Sequence, residues 1–147
     1  MNQRFDVNAG DNSGRAVRWL RISYWCGAIT DMLALVGMVF PGVGARVYGL
    51  KDFRPGSDFT YAIDAAAALM LGWTALLLWA DRRPLERKGV LLLTVCPVIA
   101  GLALGEIVAV RSGFLPLVNV IPTFVLQIAL TVLFLYSYAR ANAAARP

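Results

Sequence analysis

Four apolar runs alternate with short polar segments along this chain, and each run is long enough to cross a bilayer as a helix. A helix rising ~1.5 Å per residue needs about twenty apolar residues to span ~30 Å of hydrocarbon. The runs at about 22–40, 59–80, 89–110 and 118–138 meet that length. The pattern predicts an all-α fold, a polytopic membrane four-helix bundle formed as a single domain over residues 1–147. Breakers bound the runs: Pro41, Gly42 and Gly44 stop the first, Asp58 is placed to cap the second, and Pro84 separates the second from the third. Pro97 predicts a kink in the third span, and Pro122 falls within the first turns of the fourth.

The segments between the spans carry their own expectations. Residues 1–14 are rich in Asn, Asp, Gly and Ser and read as a mobile N-terminal tail. The first twenty residues hold no apolar stretch ahead of a small-residue cleavage site, so the first span is expected to act as an uncleaved anchor. The connection over 41–58 mixes Val47, Tyr48, Leu50 and Phe53 with Lys51, Asp52 and Arg54. That amphipathic mixture suits a segment lying along the membrane surface or covering the mouth of the bundle.

Composition strengthens the membrane reading. The chain is 59% hydrophobic with a mean hydropathy of +0.62, against roughly 45–50% apolar residues in soluble domains. The net charge is +5, but the cations form no dense stripe interleaved with aromatics, so nucleic acid is not an expected partner. They are instead distributed asymmetrically. Arg4, Arg15, Arg18, Arg21, Arg82, Arg83, Arg87, Lys88, Arg140 and Arg146 fall on one side, and only Arg46, Lys51, Arg54 and Arg111 on the other. The excess places both termini in the cytoplasm of a multi-pass inner (plasma) membrane protein. Trp19, Tyr24 and Trp25 at the start of span one, and Tyr136 and Tyr138 at the end of span four, read as interface aromatics on the cytoplasmic side.

The candidate chemistry is carboxylate chemistry. The chain has no histidine, which removes the commonest metal ligand and the usual base for a nucleophile, so no metal and no cofactor are expected. Cys26 and Cys96 lie inside apolar runs with no cation beside them to lower a thiol pKa, and read as small hydrophobes. Asp31 sits near the middle of span one, about 14 Å from its far end, while Asp64 and Glu106 lie about 6–8 Å and Gln127 about 14 Å from the same side. A charged side chain at mid-bilayer is disfavoured by roughly 2.5–3.5 kcal/mol and normally faces protein or water.

The expected ligand-binding set is therefore Asp31, Asp64, Glu106, Gln127, Tyr61 and Arg111. For catalysis, Asp31 is the candidate proton donor, with Glu106 or Asp64 as its partner. The plainer alternative ties Asp31 to Thr30 or Gln127 by a hydrogen bond and leaves Asp64 and Glu106 solvated or paired with Arg46 and Arg111. Two small-residue faces, Asp64/Ala68/Gly72 and the Gly101/Gly105 pair, suit close helix packing.

Three functions fit these residues. One is a binding or transport module whose outward-facing acidic pocket takes an amphipathic or cationic small molecule. The second is an intramembrane acid/base enzyme, of isomerase or cyclase type, acting on an isoprenoid or quinone-like lipid. The third is an accessory structural subunit of a larger membrane complex. Membrane lipids, a small hydrophobic or cationic ligand, and a homo-oligomer or larger complex are the expected partners. The string LMLGWTALLLWADRRPLERKGVLLLT, residues 69–94, resembles a set of uncharacterised small four-helix bacterial and archaeal integral membrane proteins. The layout of four spans with a Gly/Pro-rich first outer connection is similar to the DoxX-like group. These resemblances imply a four-span architecture, and no site residue is carried over from them.

Overall fold

A computed structural model describes the backbone over residues 3–50 and 53–144, and the side chains over 13–50 and 53–144. Lys51, Asp52 and Arg146, which enter the reading of the first connection and of the charge balance, lie outside the described residues. The elements are α1 (Gln3–Val39), α2 (Pro41–Val47), α3 (Ser57–Asp81), α4 (Gly89–Leu93), a π-helical turn (Thr94–Ile99), α5 (Ala100–Arg111) and α6 (Leu117–Ala144), with no strand among the described residues. The π turn joins α4 and α5 into one apolar helix, Gly89–Arg111. With Ser13–Val39, Ser57–Asp81 and Leu117–Ala144 it makes four helices long and apolar enough to cross a membrane. The protein is an all-α membrane-type bundle.

Where the sequence reads a polar tail, the backbone is helical from Gln3. Once the apolar run has nucleated a helix, each further residue adds one hydrogen bond at little cost, so poor helix formers can be carried along. The start of α1 and the end of α6 lie at one end of the bundle, here the terminal end, where Ser137 reaches the Trp19 carbonyl. The opposite end is called distal.

The buried core sits mainly in the terminal half. Leu20, Tyr24 and Ala28 of α1 meet Leu77 and Ala80 of α3, Val90 and Leu91 of α4, and Phe134 and Ala141 of α6. Gly27 sets the spacing, because a Cβ there would stand 3.0 Å from Leu77 Cδ1 and 3.1 Å from Phe134 Cζ. A glycine on α1 thus receives large side chains from two neighbouring helices. This differs from the expected packing on α3: Asp64, Ala68 and Gly72 are exposed, and the buried face carries Ala67, Thr74, Leu77 and Ala80. In lipid, contact goes where shapes interlock rather than where residues are merely small.

Polar ties reinforce this half. Ser23 Oγ donates to Ser137 Oγ at 2.8 Å, and Ser137 Oγ lies 3.2 Å from the Trp19 carbonyl. Tyr24 is 0% exposed, and its hydroxyl donates to the Arg87 carbonyl at 3.1 Å. Arg87 in turn donates to the Trp79 carbonyl and lies over the Trp79 ring. The charged turn between α3 and α4 is therefore fastened from inside by a phenol and closed from outside by a guanidinium. Arg21 pairs with Asp81 at 3.7 Å across α1 and α3.

The distal half is looser. No residue of α5 is buried, and α5 touches α6 only lightly. The expected kink at Pro97 takes the form of the π turn, which accommodates the missing proline N–H by widening the helix. At the first residue of this turn, Thr94 Oγ1 accepts a hydrogen bond from Trp73 Nε1 at 3.3 Å, which holds the helix to α3.

Candidate functional site

The distal half owes its shape to how the first connection folds. Pro41 starts α2 immediately after Phe40, at the first helical position, where its missing N–H is no loss. The chain doubles back so closely that a Cβ on Gly44 would lie 2.7 Å from the Gly37 carbonyl oxygen. At its other end α2 leaves through Gly49, whose φ of 68° is a left-handed conformation that favours glycine. Asn119 Nδ2 donates to the Tyr48 carbonyl at 2.8 Å. Thus α2 bridges the end of α1 and the start of α6, and holds Tyr48 in place.

Tyr48, Pro97, Gly101, Gly105, Glu106 and Leu115 contribute to the lining of a groove of ≈ 520 Å³ at this end. Gly101 and Gly105 have nothing within 4 Å of a Cβ added to either. The glycine pair therefore does not pack against another helix of the chain but forms the floor of the groove. Glu106 is half-buried there and accepts a hydrogen bond from Gln127 Nε2 at 3.1 Å. Partial burial, and secondarily the Glu106 carboxylate, raise the Tyr48 phenol above its ordinary pKa, so it stays neutral beside that carboxylate. The arrangement offers one carboxylate, oriented by a carboxamide, next to an aromatic ring over a surface free of side chains. Such a set attracts a positive charge and leaves room for an apolar body.

The predicted residues divide as follows. Glu106 and Gln127 come together, on α5 and α6. Asp31 is half-buried, on the face of α1 that continues the buried positions Tyr24, Gly27 and Ala28, and its Oδ2 is enclosed without a hydrogen-bond partner. It is tied neither to Gln127 nor to Thr30, whose hydroxyl donates to the Cys26 carbonyl at 2.8 Å. Asp64 is exposed on α3, Tyr61 is 79% exposed, and Arg111 is exposed at the end of α5. No ion pair joins Arg46 or Arg111 to Asp64 or Glu106 among the described residues. Cys26 and Cys96 are free thiols, half-buried and exposed respectively. Among the described residues no three His, Cys, Asp or Glu side chains gather into a metal-binding group.

Tyr48, which lines the groove, and Asn119, which holds Tyr48 in place, fall outside the predicted set. The amphipathic pattern around Tyr48 is the available signal for the first. For Asn119 the signal is an isolated amide at the start of a span, opposite a Gly-terminated turn. Comparison with family models, with curated proteins and with solved structures returns no match for this chain.

Proposed function

We propose that this is a multi-pass protein of the inner (plasma) membrane, with both termini cytoplasmic, whose distal groove faces outward and binds an amphipathic cation. The orientation rests on the excess of Lys and Arg at the terminal end. The ligand class rests on one observation: Glu106 lies in a groove within a membrane-spanning helix, with a carboxamide as its hydrogen-bonding neighbour and no cation paired with it among the described residues. A carboxylate so placed, in surroundings less polar than water, gains from an opposite charge. Tyr48 supplies an aromatic face for that charge, and the glycine floor accepts an apolar moiety. Binding is the core of the proposal, and transport would be an activity built on it.

The test is equilibrium binding of tetraphenylphosphonium, a lipophilic cation, to the purified full chain in detergent. Saturable binding is expected, and Glu106→Gln should weaken it about tenfold, equivalent to ~1.4 kcal/mol. The carboxamide keeps the size of the side chain, so the variant should remain folded. Undiminished affinity in Glu106→Gln refutes the assignment.

A further inference from the structure

The terminal end carries a second polar surface, unrelated to the groove, on the seam between α1 and α6. Trp19 and Tyr136 meet edge to face there, with ring centroids 5.2 Å apart and planes at 83°. The Arg140 guanidinium lies 5.9 Å from the Tyr136 ring centroid, and Arg15 stands one helical turn before Trp19 on α1. Of the other cations of this end, Arg21 pairs with Asp81, Arg83 with Glu86 at 3.3 Å, and Arg87 with the Trp79 carbonyl and ring, while Lys88 lies 6.0 Å from the Tyr138 ring centroid. Arg140 is a guanidinium on the Trp19/Tyr136 seam, positioned by a ring, and it forms no hydrogen bond or ion pair with the described residues, so its N–H fork remains available. That fork matches two oxygens of a phosphate.

The face of α6 above Arg140 suggests which phosphate. Val125, Ala129, Val132, Tyr136 and Arg140 recur at helical spacings of four and three. All are exposed, Val125 by 61%, Val132 by 62% and Tyr136 by 44%. Along the helix axis this row runs from aliphatic to aromatic to guanidinium, with Val132 and Arg140 about 12 Å apart at ~1.5 Å per residue. A membrane phospholipid presents the same order, from acyl chain through the glycerol region to phosphate. A soluble phosphate would use the cation but not the apolar row continuous with it.

We infer that the Trp19/Tyr136/Arg140 seam seats the headgroup of an anionic phospholipid, with an acyl chain along the exposed α6 face. Arg140 grips the phosphate, and the paired rings fix the depth of the guanidinium at the membrane interface. The negative charge of the lipid compensates a guanidinium that the protein leaves uncompensated. The seat lies at the opposite end of the bundle from Glu106 and does not depend on the groove.

The experiment is native mass spectrometry of the delipidated full chain after exchange into micelles containing phosphatidylglycerol or phosphatidylcholine. Phosphatidylglycerol should be retained in preference, and Arg140→Gln should lower its retention about fivefold without changing that of phosphatidylcholine. Arg140→Lys, which keeps the charge but loses the fork, should fall between. Glu106→Gln should leave both unchanged. Millimolar inorganic phosphate should not displace the lipid. Equal retention of the two lipids by the native chain, or an Arg140→Gln variant with undiminished preference, overturns the inference. Displacement by phosphate also overturns it, in favour of a site for free anions. Should Arg140→Gln lose its helicity, the lipid comparison and the phosphate competition on the native chain still decide.

Discussion

The two halves of this bundle use the same residue type in opposite ways. At Gly27, in the terminal half, the missing side chain is filled by Leu77 and Phe134 from two other helices. At Gly101 and Gly105, in the distal half, it is left open. Around Gly27 every helix is locked, by Ser23 to Ser137, by Tyr24 to the turn before α4, and by Arg21 to Asp81. Around Gly105, among the described residues, a single side-chain hydrogen bond, Gln127 to Glu106, links α5 to α6. The contrast teaches that a glycine in a membrane helix marks either a contact or a space, and that neighbouring bulk decides which. It also separates a closely packed half from a half that keeps an open groove.

That separation can be broken most sharply at the glycines. Gly27→Leu should destabilise the protein by about 3 kcal/mol through overpacking, measured as a large loss of thermal stability in detergent. Gly105→Leu should leave stability within about 0.5 kcal/mol while blocking tetraphenylphosphonium binding. Equal losses of stability in the two variants would erase the distinction. Next in size is Tyr24→Phe, which removes the hydroxyl that serves the Arg87 carbonyl. It should cost about 1 kcal/mol and accelerate proteolysis within residues 82–88. The smallest effect is expected from Gln127→Met, which cuts the tie between α5 and α6. Hydrogen exchange should rise in α5 alone, with α1 and α3 unchanged, and a matching rise in α3 would show that the halves are coupled.

The membrane architecture is legible in the sequence because hydropathy over a span is a sum, insensitive to which face points where. Contacts are not legible, for the same reason. In lipid both the packed and the exposed faces are apolar, so periodicity carries little signal. This is why the Asp64/Ala68/Gly72 face of α3 reads as a packing face yet lies exposed, and why Tyr24, flanked by arginines and a tryptophan, reads as an interface residue yet is fully buried. Glu106 and Gln127 can each be picked out as polar residues at depth. Their pairing cannot, because counting from span ends sets them about 7 Å apart in depth. That count takes each helix as straight and its end as level with its neighbours, and it leaves out the reach of the two long side chains, which meet at 3.1 Å. The partnership of α2 with α6 through Asn119 depends on a chain reversal that no local pattern announces.

The π turn at Thr94–Ile99 has an arithmetic of its own. A π turn takes up one residue more than an α turn for the same sweep around the axis. Span three therefore holds one residue that advances the chain without advancing the azimuth of the residues after it. Removing a residue from this stretch would let an ordinary α-helix close the gap and leave the Glu106 bearing unchanged. Removing one from Ala100–Leu104 would instead rotate Glu106 by about 100° relative to Gln127. The span is thus tolerant of a one-residue shortening at one place and intolerant of the same change a single turn later.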